Sequence, residues 1–162
     1  MTLEDADRVY EIENEAFFEP WSKKQLLKEF EENSFLKHFV YEKDGEVVGF
    51  YIISCITDLV EIFTIAVDKD FREDGIGSEL LDHIIKNAKK ANASEIWLEA
   101  STKNTPAVNL YQKYGFKIQS VRKNYYQKKN RKTKLGRIEG IIATVLVVAA
   151  AIAYFIYDQL PA

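Results

Sequence analysis

The chain has one cysteine, Cys55, among its 162 residues. An intramolecular disulfide is therefore excluded, and the thiol, set in an apolar run, reads as a buried and inert side chain. There are only two histidines, His38 and His83, in separate segments. No metal-ligand spacing exists, so no metal site is expected. Residues 1–16 are acidic and helix-like, so no secretory leader is expected there. No Gly-Lys-Ser/Thr follows any glycine loop, which excludes a nucleoside-triphosphate P-loop. A dinucleotide-binding unit needs parallel βαβ from the start and a third glycine in its fingerprint, and both are missing.

The net charge of −3 conceals an asymmetry. Residues 127–137 hold six bases (Lys128, Lys129, Arg131, Lys132, Lys134, Arg137) and no acid. That leaves 16 of the 22 bases for residues 1–126, against 23 of the 25 acids, a net of −7. An acidic body disfavours nucleic acid as the main ligand and suits a basic peptide.

What is present is enough for one ordinary domain. Thr2-x-x-Asp5 reads as a variant capping box before a helical stripe of Leu3, Val9, Tyr10, Ile12 and Phe17. Phe18-Glu19-Pro20-Trp21 breaks it. Ser22-x-x-Gln25 caps a second helix with Leu26, Leu27 and Phe30 on its apolar face. Phe35–Tyr41 reads as a strand, Asp44-Gly45 as a hairpin turn, and Val47–Ile56 and Leu59–Val67 as two further antiparallel strands. After Gly77 a helix places Leu80, Leu81, Ile84, Ile85 and Ala88 on one face. Glu95–Ala100 is a short strand. Pro106 opens a helix to about Tyr114, Gly115 ends it, and Phe116–Val121 alternates as a strand.

The segment from Ala66 to Leu81 carries the most chemistry. A β-branched run enters a charged loop, the loop closes on Gly75-x-Gly77, and a helix starts at once. A helix N-terminus presents unpaired N–H groups and positive potential, and glycine admits a bulky anion to the backbone. The glycines alone fit an ordinary tight helix start equally well.

The order α-α-β-β-β-α-β-α-β, with Arg72-x-x-Gly75-x-Gly77 after the third strand, resembles the GCN5-related N-acetyltransferases. Further elements follow in register: Phe18-x-Pro20-Trp21-Ser22, Phe63-Thr64-Ile65-Ala66-Val67, Trp97-Leu98-Glu99, Asn104, Leu110-Tyr111-x-x-x-Gly115-Phe116 and Arg122-x-Asn124-Tyr125-Tyr126. Together they resemble the bacterial group that acetylates the N-terminal alanine of a ribosomal protein. The likeness covers residues 1–126. It implies an α/β fold of α+β type, a mixed and mostly antiparallel sheet flanked by helices. Three departures stand out: no strand precedes the first helix, Glu73 and Asp74 place two carboxylates beside a pyrophosphate site, and no last strand is evident after Tyr126.

The resemblance implies acetyl-CoA as co-substrate and no metal. Its ligands would be the backbone of Ile65, Ala66 and Val67, the loop Arg72, Glu73, Asp74, Gly75, Ile76 and Gly77, and Asn104. Glu99, at the end of an apolar strand, is the expected general base. Tyr111 is the expected acid for the departing thiolate. Phe18, Trp21, Tyr125 and Tyr126 would wall the acceptor site. Each has a plainer alternative: Glu99 as a solvated strand-end carboxylate, Tyr111 as a packing tyrosine, Asn104 as helix-entry chemistry, and the aromatics as core. The acceptor implied is the N-terminus of a small-subunit ribosomal protein. A lysine or small-amine acetyltransferase and a non-catalytic acyl-CoA-binding domain are the alternatives.

Residues 141–157 are 17 uncharged residues directly behind the basic run. As a helix they would span roughly 25 Å, near a ~30 Å hydrocarbon core. This predicts three segments: an acetyltransferase domain over 1–126, a basic linker over 127–140, and a membrane anchor over 141–157 holding a cytoplasmic catalytic body. The rival is a final strand opening at Glu139-Gly140-Ile141-Ile142.

Overall fold

The computed structural model describes residues 1–17, 20–126 and 138–146. The chain divides into two compact units, one built on Met1–Ile96 and the other on Trp97–Val145.

In the first unit, helix α1 (Ala6–Ala16) and helix α2 (Lys23–Glu32) precede three strands, β1 (Leu36–Lys43), β2 (Glu46–Ile56) and β3 (Leu59–Val67). The expected box at Thr2 forms only in part. The Thr2 N–H and hydroxyl both donate to Asp5 Oδ2 (2.6 and 3.1 Å), so the hydroxyl does not accept from the helix. Aspartate is one methylene shorter than the Glu or Gln of a full box, and the helix starts one turn later, at Ala6. The box at α2 is complete: Gln25 N donates to Ser22 Oγ, and Ser22 N donates back to Gln25 Oε1 (3.3 and 3.0 Å).

The strands form two antiparallel pairs, β1 with β2 and β2 with β3. The first turn puts Asp44 and Gly45 at φ 54° and 83°, as a two-residue hairpin requires. Strand β2 is buried on both faces. Phe50 and Ile52 join Val9, Ile12, Leu26, Leu36 and Ala66 in one cluster beneath α1 and α2. The opposite face meets helix α3 (Ile76–Lys90). There Tyr51 stacks with Phe39 and its hydroxyl meets Asn87 Nδ2 and His83 Nδ1 (3.0 and 2.9 Å). Gly49 admits that helix: a Cβ there would stand 3.2 Å from Ala66 O and 3.4 Å from Leu80 Cδ1.

One irregularity bears on the site. The β2–β3 register passes from Ile52↔Thr64 to Ile53↔Ile62, so Phe63 is an extra residue on β3. Such a bulge increases local twist and re-aims the residues beside it, here Thr64 to Val67.

Strand β4 (Glu95–Ser101) begins in the first unit, where Ser94 N donates to Asp58 O at 2.6 Å. The second unit carries the rest of β4, helix α4 (Thr105–Lys113), β5 (Lys117–Tyr126) and β6 (Ile138–Leu146), with strand order β4-β6-β5. Strand β6 corrects one expectation. A last strand does exist after Tyr126, antiparallel to β5 with Lys117↔Thr144, Val121↔Ile141 and Tyr126↔Ile138. It spans Ile138–Leu146, one residue before the opening of the alternative reading of this segment as a final strand, Glu139-Gly140-Ile141-Ile142. The physical reason is that Ile138, Ile141, Ile142, Thr144 and Val145 are β-branched and β5 offers them a pairing edge. Residues 147–157 of the expected anchor and the basic run 127–137 lie outside the described residues. No helix among the described residues is long and apolar enough to cross a membrane.

Candidate active site

In the first unit the end of β3 runs straight into the glycine loop. Ala66 is buried, while Ile65 and Val67 on the other face are half-buried. Asp68 then turns the chain. It is 4% exposed. Its N–H donates to Val48 O (2.9 Å), and its Oδ1 accepts from Asp70 N (2.8 Å) at a 3₁₀ turn over Lys69–Phe71. Its Oδ2 accepts from Arg8 on α1 at 2.6 Å. Arg8 Nε also donates to Val47 O at 3.1 Å, so one guanidinium fixes both β2 and the loop entrance. Neither residue was singled out from sequence. An acid directly after a β-branched run was the available signal.

Beyond the turn, Arg72 is extended and Glu73 and Gly75 are left-handed, at φ 72° and 85°. Arg72 Nε donates to Val67 O at 3.2 Å, which holds the guanidinium beside the strand end. Gly75 is the N-cap of α3, so the helix begins at Ile76, earlier than expected. Ser78 N and Glu79 N both turn back to Gly75 O (2.9 and 3.2 Å). The N–H groups of Ile76 and Gly77 have no acceptor within the helix, as in any first turn. Nothing stands within 4 Å of a Cβ placed on Gly75, so the loop is open there. Backbone N–H groups arranged in this way can donate hydrogen bonds to an oxyanion.

The two loop carboxylates weigh less against an anion than their number suggests. Lys43 Nζ, at the end of β1, donates to Asp74 Oδ2 at 3.1 Å and lies over the Phe71 ring. Tyr41 Oη donates to Glu79 Oε2 at 2.8 Å. The end of β1 thus supports the loop and the first turn of α3.

Trp21 is half-buried and packs on the cluster around Val9, Ile12 and Leu26. Its backbone N–H donates to Glu13 Oε1 at 3.2 Å. Phe18 lies outside the described residues.

In the second unit, Leu98 and Ala100 point inward on β4 while Glu99 is exposed on the alternate face. Asn104 Oδ1 caps α4 by accepting from Ala107 N at 3.3 Å, the helix-entry role weighed against a ligand role. Tyr111 is 8% exposed and its ring meets Phe116, whose N–H donates to Tyr111 O at 3.0 Å. Burial pushes the phenol up to about 12. It is therefore a protonated donor at any working pH and a weaker acid than a free phenol. Tyr125 and Tyr126 lie on β5.

A profile of the Acetyltransferase (GNAT) family matches residues 6–116. The chain belongs to this family. Among its relatives, the ribosomal protein bS18-alanine N-acetyltransferase of Escherichia coli K12 is 33% identical over 138 residues, 85% of this chain and 88% of that protein. The crystal structure of the E. coli ribosomal-protein-S18-alanine N-acetyltransferase superposes with a TM-score of 0.80 at 31% identity, covering 91% of this chain and 90% of that one. A GNAT family acetyltransferase from Elizabethkingia anophelis, solved with acetyl-CoA bound, gives a TM-score of 0.65 at 25% identity over 77% of this chain and 83% of that one. The family accounts for the mixed sheet flanked by helices and makes this chain an N-acetyltransferase.

Proposed function

We propose that this chain transfers the acetyl group of acetyl-CoA to the N-terminal α-amino group of a protein, the N-terminal alanine of a small-subunit ribosomal protein of the bS18 type. The observation that carries the reading is the 33% identity over 85% of the chain to an enzyme named for that reaction. The open, anion-ready loop from Arg72 to Gly77 supports acetyl-CoA as donor. Its pyrophosphate would lie on the N–H groups of Gly75 to Gly77 with Arg72 alongside. The amide groups of Ile65 to Val67 would pair with the pantetheine arm like an added strand and face the thioester oxygen. Asn104 has its amide NH₂ to offer the same ligand.

An α-amino group titrates near pH ~8, so part of it is already neutral. Glu99, directly or through water, takes the proton from the rest. The amine nitrogen attacks the thioester carbon, the new C–N bond forms, the C–S bond breaks, and the nitrogen's surplus proton passes to solvent, from which Tyr111 regains the one it gives to sulfur. Tyr111 Oη meets the leaving sulfur as a hydrogen-bond donor and proton source. Phe18, Trp21, Tyr125 and Tyr126 wall the acceptor channel. The acetyltransferase domain comprises residues 1–126 completed by β6, and the acidic body suits a basic acceptor.

The test pairs two peptides with labelled acetyl-CoA, one with a free N-terminal alanine and one N-terminally blocked with an internal lysine. Transfer to the free alanine is expected. Transfer confined to the blocked lysine peptide would assign the chain to lysine acetylation, and binding of acetyl-CoA with no transfer would make it a binding domain.

A further inference from the structure

Glu13 is a carboxylate where the helix pattern calls for an apolar residue. It lies four residues after Val9 on the buried stripe of α1 and is 3% exposed. Burial raises its pKa, partly offset by the bonds it accepts from Trp21 and Thr64. An apolar side chain of similar size would avoid that desolvation. The carboxylate must therefore be doing something that packing does not require.

Its contacts say what. The Glu13 backbone carbonyl accepts from Phe17 N (3.1 Å), at the start of the segment between α1 and α2. Its Oε1 accepts from Trp21 N (3.2 Å), at the end of that segment. The first bond is the ordinary last turn of α1, so the carboxylate itself holds the far end of the segment, at Trp21. Its other oxygen, Oε2, accepts from Thr64 Oγ1 (3.0 Å), and Thr64 is itself 6% exposed. Thr64 stands directly between the bulge at Phe63 and the segment Ile65–Val67.

We propose that Glu13 is a positioning residue which sets the α1–α2 loop, as one wall of the acceptor site, at a fixed distance from the β3 segment that receives the thioester. The inference rests on the reading of that loop as an acceptor wall. Attack needs the amine nitrogen held near the thioester carbon, and errors of an ångström are costly. A carboxylate bound to both segments suppresses that error. Both of its oxygens are used, which explains why no apolar residue serves.

The experiment compares full-length wild type, Glu13→Ala, Glu13→Gln, Thr64→Val and Thr64→Ser by steady-state kinetics on the free-alanine peptide, with melting curves run alongside. Glu13→Ala is expected to raise the acceptor KM about tenfold or more, the effect of losing charge-assisted hydrogen bonds, with the acetyl-CoA KM within about twofold. Glu13→Gln is expected to restore most of it: its amide oxygen accepts from Trp21 N and its NH₂ donates to Thr64 Oγ1. Thr64→Val should raise the acceptor KM by about threefold or more, and Thr64→Ser should recover it. A folded Glu13→Ala with wild-type acceptor KM, or a Glu13→Gln as impaired as Glu13→Ala, overturns the proposal. If Glu13→Ala does not fold, a Thr64→Val enzyme with unchanged acceptor KM overturns it instead. Should wild type acetylate only the lysine peptide, the acceptor class fails, and the same comparison made on that peptide still decides the role of Glu13.

Discussion

Lys43 at the end of β1 holds Asp74 of the glycine loop, Nζ to Oδ2, at 3.1 Å. The bond raises the lysine pKa and offsets one of the two carboxylates that would repel a pyrophosphate. Both side chains are exposed, so the pair adds little to stability. Its effect belongs to the ligand. Lys43→Ala is expected to weaken acetyl-CoA binding by about two- to fivefold at low salt, because Asp74 then acts unscreened on the anion. Asp74→Asn should tighten it. Titration calorimetry at low and high salt checks this, and equal losses for Lys43→Ala at both would show that the charge is not responsible.

Gly75 caps α3 at φ 85° in open space. A Cβ there meets no neighbour, so Gly75→Ala tests backbone conformation alone. A left-handed alanine costs about 1–2 kcal/mol. The loop can relieve that strain only by leaving the conformation that presents the Ile76 and Gly77 N–H groups. Expected together are a lowered melting temperature and an acetyl-CoA affinity down by about tenfold. Normal affinity with lowered stability would place the phosphate elsewhere.

Much of this architecture was legible because its signals are local. Asp44-Gly45 marked a hairpin whose φ values the structure shows, Ser22-x-x-Gln25 marked a complete box, and the stripe of Leu80, Leu81, Ile84 and Ala88 marked the buried face of α3. The glycine loop was legible for the same reason. Strand β6 was not. A run without charge or period, such as 141–157, reads first as a membrane helix, and the strand at Ile138–Leu146 is made by pairing with β5, some twenty residues away along the chain. The bulge at Phe63 leaves no mark in the sequence, since only the register with β2 creates it. Glu13 did leave one: an acid on the apolar stripe of α1, four residues from Val9. Cys55, expected to be buried, is half-buried near the strand end.

Glu99→Gln keeps the shape of the side chain and removes its basicity. If Glu99 takes the proton from the amine, turnover should fall most below pH ~8, where the α-ammonium form dominates, and recover in part above it. The measurement is kcat/KM for the free-alanine peptide across that range. A loss equal at every pH would make Glu99 a positioning group.

For Tyr111, burial sets the sign. Its phenol is pushed up to about 12, so it keeps its proton well past the ordinary value of 10. The alkaline limb of kcat should therefore show no loss from this group up to about pH 10. Tyr111→Phe should leave acetyl-CoA affinity within about twofold and slow transfer by ~10²-fold, the scale of a lost general acid. Pre-steady-state transfer measures this step directly, and an unchanged rate would remove Tyr111 from the chemistry.

Glu13 also makes a prediction that needs no substrate. Its folded pKa is raised above the ordinary 4.5 by burial. Below that value both folded and unfolded chains hold the proton. As pH rises through it, the unfolded chain releases the proton while the folded chain retains it, so the contribution to stability is full at acid pH and is lost as pH climbs through the folded pKa. Glu13→Gln has no proton to lose and keeps both hydrogen bonds. Its melting temperature relative to wild type should therefore be higher at pH 7 than at pH 4. Melting curves of the two proteins at these pH values decide it. A difference that stays constant would mean that Glu13 titrates alike in the folded and unfolded chains, so that burial does not shift it.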